Sequence, residues 1–382
     1  MPTALRGRLV SGGSVVDDAV VVLDGDRVTH VGPAAEHPDP PPATDLLLLP
    51  GLVDVHCHGG AGGSFPDSDQ AGVRRAARHH RAAGTTTLLA SLVSAAPEVL
   101  RERLAVLAPL VGDLVAGVHL EGPYLSPARC GAQDPAALRP GDPAELDALL
   151  ATGLVRSVTV APETAHAAEL LAVCRMHGVL PSLGHTDADA ATTTGWVRRA
   201  GPRASATHLF NGMPPLLSRA PGPVAACLAA AARGDLVVEL VADGVHLAPE
   251  TVATVFELVG PDHVALVSDA MAAAGQPDGA YRLGALDVTV RDGVARLTAD
   301  PGAIAGGTAT LADVLRRTVR DAGVDLAAAV TAATRTPARL LGLDAEVGEL
   351  TPGRRADVLV TTPDLVPAAV YAAGVRVHRE EN

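Results

Sequence analysis

The chain has 382 residues, 48% of them hydrophobic and 19% charged, a composition typical of a soluble globular protein. Its net charge of −13 and its aromatic content of 2% argue against a nucleic-acid partner, which needs a basic surface and often aromatic stacking platforms. The chain contains no lysine, which excludes a Schiff-base lysine, a P-loop lysine and a carbamylated-lysine metal bridge.

The N-terminal residues, MPTALRGRLV, lack the pattern of a secretory signal peptide. No uncharged apolar run reaches the roughly 18 residues that a membrane span needs. The four cysteines have no C-x-x-C spacing and no small secreted context, so we expect neither a disulfide framework nor a thiolate zinc site. These features predict a cytoplasmic protein without a membrane partner.

Short β-branched segments separated by Gly and Asp predict strands at both ends of the chain. Residues 4–34 have the pattern of a β-meander, and the Pro-rich stretch at 37–45 is typical of a linker. The stretches GELTPGRRADVLVTTPDL and VYAAGVRVH are strand-like again. We therefore predict a small β-sandwich domain built from both termini, residues 1–48 plus 346–382, around a central domain of residues 49–345.

The central part alternates apolar runs with Ala/Leu/Arg-rich helical stretches, the pattern of repeated βα units. Eight such runs are present, at residues 51–56, 85–92, 113–121, 155–163, 179–185, 203–208, 235–243 and 262–269. One of the intervening helices is predicted at 69–84. A hairpin is predicted at 279–298, and closing helices follow from residue 311. The fold class predicted from this count is α/β, a (β/α)8 TIM-type barrel with the small β-sandwich attached.

Imidazole and carboxylate side chains occur where these predicted strands end, and catalytic groups of such barrels lie at the carboxyl ends of the strands. The donors are N and O atoms without thiolates, a set that suits a divalent metal. Each residue also has a simpler interpretation, as a helix cap, a turn residue or a satisfied polar group. Their shared position at one barrel face favours a metal site formed by His56, His58, Glu121, His185, His208 and Asp269.

Side chains alternate between the two faces of a strand, so His56 and His58 point to the same side and both can face the barrel mouth. Cys57 then points away, and we expect it to pack between strand and helix. His79 and His80 lie within a predicted helix and are expected to be solvated. His119 shares a face with Glu121, which leaves open whether it orients that carboxylate.

Seven segments, in order along nearly the whole chain, resemble the amidohydrolase superfamily and, within it, the N-acetylglucosamine-6-phosphate deacetylases. The H-x-H pair occurs throughout the superfamily, whereas HLEGPY and HLFNGMPP are specific to the deacetylases. The segments are PGLVDVHCHGG, HLEGPY, SLGHTDA, THLFNGMPP, VADGVH, LVSDAM and TPARLLGL.

The resemblance implies that Glu121, His185 and His208 are the principal metal ligands and that Asp269 is the catalytic carboxylate. His56 and His58 match a pair that supports a second ion in some members, with Glu121 bridging. The implied cofactor is one or two divalent ions per subunit, zinc first, with iron, manganese or cobalt as alternatives.

The resemblance also assigns the sugar-phosphate contacts to Asn211, Gly212, Arg219 and His246. In relatives the arginine reaches in from a neighbouring subunit, which implies a homodimer. Where many relatives have a histidine that polarises the acetyl carbonyl, this chain has Gln133. Glutamine can donate a hydrogen bond but cannot carry a charge, so it leaves room for a substrate range that differs from that of these relatives. Cys130, in the same loop, is a further candidate.

The implied activity is deacetylation of N-acetylglucosamine 6-phosphate to glucosamine 6-phosphate and acetate, in amino-sugar catabolism and cell-wall recycling. One alternative is a deacylase of another N-acyl amino sugar phosphate or of an N-acyl amino acid. Another class is a catalytically silent barrel that serves as a binding protein. Such a barrel is expected to have lost a ligand or Asp269, and the chain retains them all.

Overall fold

A computed structural model of the chain describes residues 2–377. Within that range the strands follow the predicted runs closely. They are β1 Thr3–Ser11, β2 Ser14–Asp24, β3 Arg27–Pro33, β4 Leu47–Pro50, β5 Leu52–Cys57, β6 Gly59–Gly60, β7 Gly63–Ser64, β8 Thr85–Leu92, β9 Gly117–Glu121, β10 Val155–Val160, β11 Leu180–Leu183, β12 Ser205–Ala206, β13 Val237–Leu240, β14 Val264–Leu266, β15 Gly279–Leu283, β16 Leu286–Arg291, β17 Val294–Leu297, β18 Val358–Thr361, β19 Pro367–Ala372 and β20 Val375–Val377.

The helices begin where the sequence supplies capping residues. Within residues 2–377, carboxylate or hydroxyl side chains accept the first free backbone N–H groups of six helices or short turns, including Asp69, Asp189 and Thr310. No helix of residues 2–377 is long and apolar enough to cross a membrane. The helices are α1 Gln70–Ala82, α2 Pro97–Leu107, α3 Pro143–Leu150, α4 Ala167–His177, α5 Ala190–Ala200, α6 Gly222–Ala232, α7 Pro249–Val259, α8 Leu311–Arg320, α9 Leu326–Ala333 and α10 Arg335–Leu341.

The eight predicted central strands form one sheet in the order β14-β13-β12-β11-β10-β9-β8-β5, and the neighbours are parallel. The two ends of this sheet meet where the segment after β14 bonds to β5. Asp269 donates its backbone N–H to His56 O at 2.9 Å, and His58 donates to Ala270 O at 2.7 Å. The (β/α)8 barrel is confirmed, although several strands are shorter than their apolar runs.

The barrel strands are buried almost throughout, as expected of parallel strands covered by helices. The core is built from Ala, Val and Leu, and its aromatic members are few, among them Trp196 and Phe256. Cys57 lies in the layer between β5 and α1, together with Ala76 and Ala77. Its side chain therefore points away from the barrel mouth, as the alternation of the strand predicts.

Both termini contribute to a seven-stranded sheet of order β20-β19-β18-β4-β1-β2-β3. A bridge between Arg27 and Arg355 connects the β3 edge with the segment before β18, so the sheet folds back over a shared core. This is the predicted β-sandwich. Strand β4 spans the predicted boundary at residue 48, and the boundaries themselves stay a prediction. Residues 378–382 of the predicted domain, including His378 of VYAAGVRVH, lie outside the described residues.

The segment predicted as a hairpin is a three-stranded antiparallel sheet, β15-β16-β17. Leu283 and Val288 of this sheet pack against Met271 and Ala272, which follow the end of β14. Since the carboxyl end of β14 lies at the barrel mouth, the small sheet covers one side of that mouth.

The expectation that His80 is solvated is wrong. His80 is fully buried on the inner face of α1, where its Nε2 lies 2.9 Å from the carbonyl oxygen of Gly59 and 3.3 Å from Cys57 Sγ. Burial lowers the pKa of His80 to about 4, so the ring is neutral near pH 7. The helical period alone does not indicate which of two adjacent histidines faces inward.

Candidate metal centre

The predicted ligands come together because parallel strands of a barrel end at the same face. His56 and Glu121 belong to β5 and β9, while His185, His208 and Asp269 follow β11, β12 and β14. The last three have positive φ values of 46°, 29° and 47°. Left-handed backbone is unfavourable for non-glycine residues and is concentrated at functional sites. The chain thus turns sharply at these three ends and directs each side chain inward.

The side chains form two groups that share one carboxylate. In each group the ligand atoms of an imidazole pair and of Glu121 all lie within 4.8 Å of one another. Glu121 Oε1 is 3.1 Å from His185 Nε2 and 2.9 Å from His208 Nε2. Glu121 Oε2 is 3.4 Å from His58 Nε2, and His56 Nε2 is 3.6 Å from Oε1. A bridging position for Glu121 is what a two-ion centre requires.

This donor set fits a divalent metal. Within each group two imidazole Nε2 atoms face each other at short range, 3.0 Å for His56 and His58 and 3.1 Å for His185 and His208. Only one proton can lie between two such nitrogens, whereas a cation satisfies both lone pairs and the carboxylate together. Imidazole and carboxylate ligands without thiolates suit zinc, iron, manganese or cobalt.

The field of the site is dominated by carboxylates among buried imidazoles. Burial disfavours the charged form of His56, but Asp269, Glu121 and Glu239 outweigh it and raise its pKa to about 10. Burial likewise opposes ionisation of Glu121, yet the surrounding imidazoles hold its pKa well below the usual range. The carboxylates are therefore anionic among these imidazoles, and a cation bound between them would meet opposite charge.

Asp269 lies at the edge of the first group. Its Oδ1 is 3.4 Å from both His56 Nε2 and His58 Nε2, and its Oδ2 is 3.5 Å from His246 Nε2. His246 is held from its other side by Asp243, whose Oδ2 is 2.8 Å from Nδ1. Burial opposes ionisation of Asp269, but the charges of His56, His58 and His246 lower its pKa further than burial raises it. The carboxylate of Asp269 is thus held ionised beside the first group.

Gln133 is anchored at both ends of its carboxamide. Its Oε1 accepts the backbone N–H of Ser94 at 2.7 Å, and its Nε2 donates to Glu121 Oε2 at 2.6 Å. The residue is 3% exposed. One N–H of the Gln133 amide therefore orients the shared carboxylate. The second N–H remains available for the predicted hydrogen bond to an acetyl carbonyl.

A cavity of about 250 Å³ opens above the two groups. Gly212 and Asn211 line it, and Asn211 Nδ2 donates to His208 O at 3.1 Å. Gly212 has a φ of +61°, and a Cβ atom there would lie 2.9 Å from His185 Nδ1. Among the predicted site residues, the lining comprises His58, Glu121, Gln133, His185, His208, Asn211, Gly212, His246 and Asp269.

Two predicted residues do not line this cavity. His56 lies beneath it, with no exposed surface. Arg219 is exposed in the loop before α6, beside the exposed side chains of Leu216 and Leu217. None of the ion pairs formed within residues 2–377 involves Arg219. A role for Arg219 therefore requires a site other than the cavity of its own chain.

The sequence missed or left open three features of the site. Whether His119 orients Glu121 was left open; its ring nitrogens contact Ser91 Oγ and Thr159 Oγ1 and not Glu121, so it does not orient that carboxylate directly. Two apolar residues that line the cavity, Leu283 at the end of β15 and Ile304 after β17, were not predicted from the sequence. Glu239, which lies beneath His56, was also missed. It is the one carboxylate within β13, and a charged residue inside an otherwise apolar strand could have indicated a buried partner.

Comparison with known proteins agrees with this geometry. The model of the amidohydrolase family matches residues 47–377. The chain is 31% identical over 93% of its length to N-acetylglucosamine-6-phosphate deacetylase of Bacillus subtilis, covering 92% of that protein. It is 34% identical over 98% of its length to N-acetylgalactosamine-6-phosphate deacetylase of Escherichia coli O157:H7, covering 99% of it.

A solved structure extends the likeness to three dimensions. N-acetyl-D-glucosamine-6-phosphate deacetylase of Mycobacterium smegmatis, solved as a mutant in complex with N-acetyl-D-glucosamine-6-phosphate, superposes with a TM-score of 0.92 and 39% identity. The match covers 98% of this chain and 99% of that one. The likeness includes the barrel and the small β domain together.

Proposed function

The chain belongs to the amidohydrolase family, and on that premise we propose that it deacetylates N-acetylglucosamine 6-phosphate to glucosamine 6-phosphate and acetate. The observation that carries the proposal is the pair of ligand groups sharing Glu121, with Asp269 against one of them at the floor of the cavity. A role in amino-sugar catabolism or cell-wall recycling stays a prediction.

The proposed metal ligands are His56, His58 and Glu121 on one side and Glu121, His185 and His208 on the other. Zinc is the proposed ion, with two sites per subunit, because the ligands are imidazole and carboxylate. A divalent metal bound there lowers the pKa of water toward neutrality and polarises an amide carbonyl. Metal analysis of the purified protein tests both the identity and the number of ions.

Asp269 is the proposed general base and acid. Its buried carboxylate is held ionised by neighbouring imidazoles, so it can accept the proton of the attacking water and return it to the leaving nitrogen. His246 borders Asp269 and also lines the cavity, and Asp243 fixes its ring. We propose that His246 orients the sugar through the ring edge that faces the cavity.

The phosphate of the substrate is proposed to bind Arg219 of a second copy of this chain in a homodimer. The guanidinium is exposed and unpaired within residues 2–377, and an arginine fork matches the geometry of a phosphate. Leu216 and Leu217 are 50% and 55% exposed in the same loop. Adjacent exposed leucines favour an interface between subunits.

A second candidate substrate is N-acetylgalactosamine 6-phosphate, which differs only in the configuration of one hydroxyl. The support is the 34% identity with the Escherichia coli O157:H7 deacetylase named for that substrate. The metal chemistry is the same for both sugars, so the cavity wall alone has to discriminate between them.

Acetate release from a panel of sugars tests the proposal. We expect the highest kcat/KM with N-acetylglucosamine 6-phosphate, a lower value with its galacto epimer, and a value lower by about 100-fold without the phosphate, since remote binding energy positions the reacting group. A preference for the galacto epimer would select the second candidate. The absence of acetate release from all N-acyl sugar phosphates would overturn the function.

A further inference from the structure

We propose that Glu239 is the positioning residue for His56: its carboxylate accepts the Nδ1–H of the imidazole, so that Nε2 presents a lone pair to the ion shared with His58 and Glu121. The inference rests on the proposed metal ligands and adds a residue outside them. Glu239 Oε2 lies 3.3 Å from His56 Nδ1, across 183 residues of sequence. Both side chains are buried, with 3% and 0% exposure.

Glu239 is itself held in place from two directions. Ser205 Oγ donates to its Oε1 at 3.2 Å, and the backbone N–H of His208 approaches its Oε2 at 3.4 Å. The carboxylate therefore links β13 to β12 and faces β5 with its second oxygen. An imidazole that ligates through one nitrogen needs a partner for the other, which sets its tautomer and ring orientation.

The contacts behind Glu239 form a buried chain of hydroxyl groups. A carboxylate only accepts, so the hydrogen bond between Ser205 and Glu239 is donated by the Ser205 hydroxyl. The same Ser205 Oγ lies 2.7 Å from Ser182 Oγ, to which its geometry also lets it donate. Ser182 Oγ is 2.6 Å from Thr207 Oγ1.

The chain of contacts continues to the far side of the barrel. Thr207 Oγ1 lies 2.7 Å from Thr159 Oγ1, which lies 2.8 Å from His119 Nε2. Ser91 Oγ lies 2.9 Å from His119 Nδ1 and accepts the backbone N–H of Cys57 at 3.0 Å. Each ring nitrogen of His119 thus faces a hydroxyl group, which can donate or accept. At the other end, the carboxylate of Glu239 only accepts.

The four proposed imidazole ligands differ in this respect. His185 Nδ1 donates to the backbone carbonyl of Arg129 at 2.8 Å, whereas Nδ1 of His58 and of His208 has no partner in the described part of the chain. His56 alone among them is oriented by a carboxylate side chain. A substitution at Glu239 should therefore act mainly on the ion site of His56, because its contact with His208 is to the backbone N–H and not to the imidazole.

The test is titration of metal-free protein with Co²⁺, followed by calorimetry and by the visible absorption of the bound ion. We expect wild type to take up two ions, and Glu239→Gln to bind one of them about 10- to 100-fold more weakly, since the amide has one acceptor oxygen where the carboxylate has two. The other ion should keep its affinity. Glu239→Asp, which retains the charge on a shorter side chain, should give an intermediate loss and serves if the Gln variant does not fold.

Two controls separate positioning from stability. Ser182→Ala interrupts the same buried chain without touching His56 and should leave both affinities near wild type. In a His56→Asn background, Glu239→Gln should add no further loss, because both act on one ligand. The proposal fails if the two ions are weakened equally, if neither is, if the losses add, or if wild type binds a single ion. Because the readout is ion binding, a failure of deacetylation leaves this test unaffected.

Discussion

Glu121 lies within 3.6 Å of all four imidazoles of the proposed centre. Gln133 fixes one of its oxygens, so the orientation of the carboxylate does not depend on the imidazoles alone. A single buried anion among so many nitrogen atoms is stable only when positive charge is present between them. The electrostatics of the centre therefore depend on this one residue more than on any single histidine.

Asp269→Asn is expected to retain the metal and to lower kcat by about 10²- to 10⁴-fold, because the amide cannot accept a proton. The measurement is acetate release together with the metal content of the same preparation. Asp287→Asn, at an exposed position of β16, is the matched control and should remain active. Near-wild-type turnover of the Asp269 variant would contradict the assigned role.

Gly212→Ala is expected to disturb His185. The position has a left-handed backbone, and the added Cβ would lie 2.9 Å from His185 Nδ1. Gly153→Ala is a matched control, since its φ is +71° but nothing lies within 4 Å. Both variants should lose about 1–2 kcal/mol of stability from backbone strain.

Only Gly212→Ala should also weaken metal binding, by about 10-fold or more, because the ligand is displaced. Thermal unfolding and metal titration of the two variants separate these effects. Equal metal affinity in both would show that the contact with His185 is unimportant.

At the scale of elements, β5 is supported from both sides. Its inward residues reach the metal centre, while Cys57 and the following Gly59 contact His80 of α1. The helix therefore positions the strand end that carries His56 and His58. Burial keeps His80 neutral near pH 7 by lowering the pKa of its ring to about 4, and the neutral ring can donate its Nε2–H to Gly59 O.

His80 should make stability depend on pH. Its folded pKa is about 4 and its ordinary value is 6.5, so between these values the unfolded chain binds more protons than the folded one. The contribution is fully present above pH 6.5 and is lost as the pH falls toward 4, on the order of 3 kcal/mol in total.

His80→Gln keeps a donor for Gly59 O but cannot titrate. Chemical unfolding at several pH values should give a flatter dependence for this variant than for wild type between pH 4 and 6.5. Parallel slopes for the two proteins would mean that the His80 contact does not contribute. Both proteins should be compared with the same metal loading, since acid also releases metal.

At the scale of the whole molecule, the small sheet β15-β16-β17 covers one side of the cavity, and Arg219 is exposed outside the cavity lining. One subunit thus supplies the metal centre, and the phosphate contact is proposed to come from the other. The two parts of such a site can be inactivated separately, in different chains.

Arg219→Ala should raise KM for phosphorylated substrate and leave the metal content unchanged, because Arg219 does not line the cavity of its own chain. Mixed and re-formed dimers of Arg219→Ala with Asp269→Asn should recover about a quarter of wild-type activity, since half the dimers are hybrids with one intact site.

Each variant re-formed alone is the control and should stay inactive at low substrate. If mixing restores no activity although hybrids form, the arginine does not act across the interface. If Arg219→Ala weakens unphosphorylated substrate equally, the phosphate assignment fails.

The sequence by itself determined the fold and the composition of the candidate centre. Apolar runs of strand length alternating with helical stretches indicate a barrel, and His56, Glu121, His185, His208 and Asp269 each end such a run. Parallel strands of a barrel end at one face, so placing these residues together needs no side-chain coordinates. The functional roles of these residues stay predictions until the variants are measured.

Tertiary structure alone decided the partners that lie across the barrel. Glu239 meets His56 across 183 residues, and His119 bonds to Ser91 and Thr159 instead of Glu121. The burial of His80 and the exposure of Arg219 likewise depend on which elements pack nearby. Local periodicity indicates the face of a strand or helix, but it carries no information about the neighbour that covers that face.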